Sequence, residues 1–128
     1  MDTKQEITDL FDAISDVRIA GVTFSNGRKK RQTILKKIDK QQKPFEISPE
    51  IILHIAEVDG APAIEVWADD DQVGYIPKGK LKQFLKYASR PYYVYRQSIY
   101  GDDILGMMIT VRFLKEGAEC PFMLRTMQ

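Results

Sequence analysis

The chain has 128 residues, 44% of them hydrophobic and 29% charged, with 19 Lys and Arg against 18 Asp and Glu. These values fit one globular domain with a real core, and no apolar run approaches the roughly 20 residues of a membrane span, so no membrane partner is expected. One cysteine, Cys120, and one histidine, His54, exclude an internal disulfide and leave no plausible zinc ligand set.

In chain order, the acidic start MDTKQEITDLFDAIS lacks the basic-then-apolar order of a secretory signal, so a cytoplasmic location is expected. Ile7, Leu10, Phe11 and Ile14 have the i, i+3, i+4, i+7 spacing of a buried stripe, which predicts a helix from Thr3 to Ser15. Val17 to Phe24 reads as a strand that enters the turn Ser25-Asn26-Gly27. The run QTILKKI, residues 32–38, suits either a strand or a short helix, with a strand preferred.

Ile51 to Val58, Asp59-Gly60 and Ala63 to Ala68 predict a hairpin, and Asp69, Asp70 and Asp71 a solvated turn. Gln72 to Ile76 is a further short strand stopped by Pro77. A helix near 79–89 follows, with Leu81, Phe84, Leu85 and Ala88 inward and its lysines outward. PYYVYRQSIY, residues 91–100, pairs across Gly101-Asp102-Asp103 with Ile104 to Leu114. The remainder reads as a tail packed by Phe122, Met123 and Leu124.

Six or seven short strands with two helices predict a mainly β, α+β fold, a small OB-like or SH3-like β-barrel; an open α+β sheet fits the same spacing. The expected organisation is an N-terminal amphipathic helix over 1–16, the barrel domain over 17–114 and a tail over 115–128.

No nucleophile elbow, phosphate-binding Gly-rich loop or His-rich metal spacing is present, so neither catalysis nor a cofactor or metal is expected. His54 lies in the apolar run ILHIA and reads as a strand residue. The turn acids are explained by turn chemistry, since one acidic turn falls short of the roughly six to eight oxygens of a calcium site.

The charge distribution points to a binding role. Residues 27–43 carry eight basic side chains against one acid, residues 78–96 carry six against none, and residues 44–77 between them hold eight acids and no Lys or Arg. In FSNGRKKR an aromatic ring precedes four cations, Arg28, Lys29, Lys30 and Arg31. Tyr75 likewise precedes Lys78, Lys80 and Lys82. Rings that stack on bases beside phosphate-neutralising charge suit single-stranded nucleic acid, although lysines also solvate helices and loops with no ligand. A second reading is a protein-interaction module, with weak self-association through the opposed acidic and basic patches.

The order VRIAGVTFSNGRKKRQTIL, AIEVWADDDQVGYIP, then a Lys-rich helix and a strand resembles the HIRAN domain, over Val17 to Leu114. The resemblance implies a modified OB-like barrel that binds single-stranded DNA or DNA ends in a repair or replication context. It implies that Phe24 stacks on a terminal base, that Lys78 contacts the backbone and that Tyr75 lines the same groove. The family's N-P-x-D-x-N-A-type segment, whose Asp contacts a 3′ hydroxyl in the end-binding member, reads EVDGAPA here, so 3′-end specificity is not carried over.

Overall fold

The computed structural model describes residues 7–45, 48–120 and 122–128. Among them the elements are β1 (Phe11–Arg18), β2 (Ser25–Asn26), β3 (Lys29–Lys30), α1 (Arg31–Phe45), β4 (Ile51–Val58), β5 (Ala61–Ala68), β6 (Asp71–Tyr75), α2 (Lys78–Lys86), β7 (Tyr92–Tyr100) and β8 (Gly106–Leu114). Two antiparallel three-stranded sheets, β1-β8-β7 and β4-β5-β6, carry the fold, and β2-β3 is a small separate hairpin. The described residues are thus mainly β, with helices α1 and α2, and they do not form a closed barrel. No helix among the described residues is long and apolar enough to cross a membrane.

Tight turns set the registers. Asp59 and Gly60 both have positive φ, 52° and 79°, the pair of left-handed residues that a two-residue hairpin turn requires. They align Ile51 with Ala68 and Val58 with Ala61. Asp69, also at φ 52°, turns β5 into β6, and its carboxylate accepts the Glu50 backbone N–H at 3.0 Å.

The inner faces of both sheets and one side of each helix share one core, which includes Val17, Leu53, Ile64, Val66, Phe84, Tyr92, Ile109 and Phe113. Phe84 of α2 meets Phe113 edge-on at 5.7 Å, and Leu81 and Leu85 pack beside it, as the stripe predicts. Among the described residues, backbone links join the sheets at two sides. Ala20, just beyond β1, pairs with Tyr75 of β6. On the other side, Arg125 pairs with Tyr92, and Ile55 donates its N–H to the Gln128 carbonyl at 2.8 Å. The tail is therefore structural, through the buried Met127 and through Phe122, which lies against Phe11 and Tyr93 as expected, whereas Met123 is 95% exposed.

Two sequence expectations are corrected. The N-terminal helix does not extend to Ser15, because Phe11–Arg18 is strand β1 and only Ile7 and Thr8 are helical among the described residues before it. Thr3 to Glu6 lie outside the described residues. The three-residue spacing has another cause. Phe11 faces away from the core and is covered by Phe122 and Tyr93, while Ile14 and Val17 both face inward because a bulge intervenes between them. Residues 32–38 are helical, part of α1, with Ile34, Leu35 and Ile38 buried and Lys36, Lys37 and Lys40 outward. Fifteen residues give the 3.6-residue period room that a seven-residue window does not show.

Candidate nucleic-acid interface

The candidate site is built where the segment after β1 meets β6. Ala20 and Tyr75 each donate a backbone N–H to the other's carbonyl at 2.8 Å. This approach requires glycine at 74, since a Cβ there would stand 2.2 Å from the Ala20 carbonyl oxygen. Gly21 follows at φ 74° and turns the chain. A Cβ on Gly21 would meet Arg31 Nη1 at 3.1 Å, Phe24 Cδ2 at 3.4 Å and Tyr75 Cδ2 at 3.5 Å. Three of the residues singled out in the sequence thus surround one glycine.

Their roles differ. Phe24 has its backbone held at both ends, its N–H donating to Gly21 O at 3.2 Å and its carbonyl accepting from Arg31 N at 3.1 Å, yet its residue surface is 63% exposed. Two backbone hydrogen bonds fix the position from which this exposed ring projects, so the backbone has little freedom left to lose if a ligand meets it. Tyr75 is half-buried, and the Arg31 guanidinium lies 5.4 Å from its ring centroid.

Arg31 itself is only 5% exposed. It donates to Asn26 Oδ1 at 3.0 Å and to the Gly21 carbonyl at 2.8 Å, so it holds the loop. Gln32 adds to this bracing, donating to the Val22 and Leu105 carbonyls and accepting from the Leu105 N–H. These positioning roles of Gly21, Asn26, Arg31 and Gln32 escaped the sequence reading. Only the Asn26-Gly27 turn signal and the glycine in A-G-V hinted at them.

The other predicted cations separate into two groups. Lys29 is bonded to both carboxylate oxygens of Asp71 at 2.9 Å, which together with the 2.7 Å bond from Asn26 Nδ2 to Gln72 O fastens the β2-β3 hairpin to β6. Arg28 and Lys30 are exposed on that hairpin, and Lys78, Lys80 and Lys82 are exposed on α2. Lys78 opens α2 three residues after Tyr75, in a first turn that contains no acid. Beneath the hairpin, a cleft of about 370 Å³ is lined by Asp70 and Asp71 beside Arg31 and Trp67. The acids make that cleft the less favourable approach for phosphate. The approach past Phe24 has no such obstacle in its own loop, residues 21–31, which contains no carboxylate.

His54 lies edge-on to Trp67 at 5.8 Å, in a strand setting. Arg90, in the second basic block, is also structural: it donates to the Leu114 carbonyl and Asp12 and stacks on Tyr87 at 4.4 Å. Comparison with protein-family models, curated proteins and solved structures finds no match to this chain.

Proposed function

We propose that the chain is a non-catalytic binding module for single-stranded nucleic acid, DNA favoured, in a repair or replication setting. The observation that carries this reading is the grouping of the exposed Phe24 ring, Tyr75 and Arg31 around Gly21. A base stacks on Phe24 beside Tyr75, while Arg28, Lys30, Lys78 and Lys80 neutralise the phosphates on either side. Arg31 contributes by keeping the loop in shape, and Lys29 by fastening the hairpin.

The resemblance to the HIRAN domain supports the same reading. Its two most specific stretches, G-V-T-F and V-G-Y-I-P, lie on the two sides of the Ala20–Tyr75 bridge. The two linked sheets are read as a half-open variant of an OB-like arrangement. Titrating a labelled single-stranded oligonucleotide into the protein and into Phe24→Ala tests the proposal by fluorescence anisotropy. Saturable binding weakened by the substitution supports it. Equal binding by both proteins, or tighter binding of duplex than of single strand, refutes it.

A further inference from the structure

The β1-β8-β7 sheet has a second face, turned away from the core. On it the register places Tyr93 opposite Arg112, Arg96 opposite Thr110, Arg18 opposite Met108 and Tyr100 opposite Gly106. A bulge between Val94 and Arg96 adds Tyr95 to the same side, edge-on to Tyr93 with centroids 6.5 Å apart. Every arginine of these strands lies against a tyrosine. The Arg112 guanidinium carbon is 3.4 Å from the Tyr95 centroid, that of Arg96 is 5.5 Å from the same ring, and that of Arg18 is 5.6 Å from Tyr100.

Access and charge narrow the ligand. Tyr95 and Tyr100 are 47% and 41% exposed, and Arg18 and Arg96 are exposed. Against three arginines the three strands carry two carboxylates, Asp12 and Asp16, and Asp12 is bonded to Arg90. A groove of about 490 Å³ runs beside this face, with Tyr93, Tyr95 and Arg96 on its β7 wall and the ion pair of Glu50 and Arg125 also lining it. Arg112 covers one face of Tyr95, and Tyr93 is packed by Phe11 and Phe122. This leaves the exposed parts of Tyr95 and Tyr100 beside guanidinium groups to meet unstacked bases and phosphates, whereas duplex bases are already stacked and present no free face.

We infer that this outer sheet face is a second contact surface for single-stranded nucleic acid, distinct from the groove around Gly21. It rests on the ligand class proposed above but on none of the groove's residues. Arg18 lies two residues before Ala20, which pairs with Tyr75 at the groove.

Photocrosslinking of the full chain to single-stranded DNA carrying 5-iodouracil, with the attachment sites mapped by mass spectrometry, tests it. The expected result is attachment at Tyr95 or Tyr100 that persists in Phe24→Ala. Attachment confined to Phe24 and Tyr75 overturns this inference and leaves the groove reading standing; no binding at all overturns both. In parallel, the double substitution Tyr95→Ala, Arg96→Ala is expected to weaken binding of a long oligonucleotide by roughly tenfold, and unchanged affinity counts against the surface. If polyglutamate suppresses the Tyr95 crosslink as well as oligonucleotide of equal charge does, the face suits an acidic protein and the inference fails.

Discussion

Ala20 and Tyr75 are joined by two backbone hydrogen bonds of 2.8 Å, and of the links between the two sheets this is the one beside the candidate groove. Gly74 permits it, because a side chain there would collide with the Ala20 carbonyl. Gly74→Ala is therefore expected to destabilise the protein by about 1–3 kcal/mol, as overpacking does, or to prevent folding. Urea denaturation measures this, and a stability equal to wild type would show that the sheets do not depend on the bridge.

Phe24 and Arg31 should separate in behaviour although they stand on the same loop. Phe24→Ala removes an exposed ring, so stability stays within about 0.5 kcal/mol while binding weakens by about 1–3 kcal/mol of stacking. Arg31→Ala leaves Asn26 Oδ1 without its Arg31 donor and the Gly21 carbonyl with only the Phe24 N–H, and is expected to cost about 1–3 kcal/mol of stability. Lysine at 31 does not restore it, since an ammonium cannot reproduce the guanidinium fork. Paired melting and binding curves for the three variants check the separation.

Tyr92 is buried, its hydroxyl oxygen accepts the Leu53 N–H at 2.8 Å, and burial pushes its phenol pKa above the usual value. The neutral phenol is therefore favoured in the fold. Its contribution is fully present below the unfolded pKa near 10 and is lost as pH rises from there through the raised folded pKa. Tyr92→Phe is expected to blunt this alkaline loss, while costing about 1–3 kcal/mol at neutral pH because the Leu53 N–H loses its acceptor. Denaturation midpoints across the alkaline range give both quantities.

The tail offers a further test. Met127 is buried in the core next to the strand-like contacts of Arg125 and Gln128. Met127→Ala is expected to cost about 2–5 kcal/mol, whereas Met123→Ala, at an exposed position, changes stability little. Thermal melts of the two variants decide it, and equal effects would contradict the packing described.

Much of this architecture was legible in the sequence where local chemistry decides it. The β4-β5 and β7-β8 hairpins and the α2 stripe of Leu81, Phe84 and Leu85 follow from turn residues and periodicity. What was not legible depends on distant partners. Phe11 mimics a helical stripe because Phe122, more than a hundred residues later, covers the outer face of β1. The strand-or-helix choice for residues 32–38 rests on what Ile34, Leu35 and Ile38 pack against, which the seven residues themselves do not reveal. In the site, Phe24 and Tyr75 were visible as aromatics beside cations. The internal role of Arg31 was not, because a run of four cations gives no sign of which one the loop will enclose.

The salt dependence of single-strand binding tests the central claim most directly. With about four phosphates met by Arg28, Lys30, Lys78 and Lys80, the logarithm of the affinity should fall with the logarithm of salt concentration with a slope of about −3, and Lys78→Ala should make it shallower by about 0.7. Affinity independent of salt, or a Lys78→Ala slope no different from that of a lysine distant from the groove such as Lys115→Ala, would contradict the nucleic-acid groove.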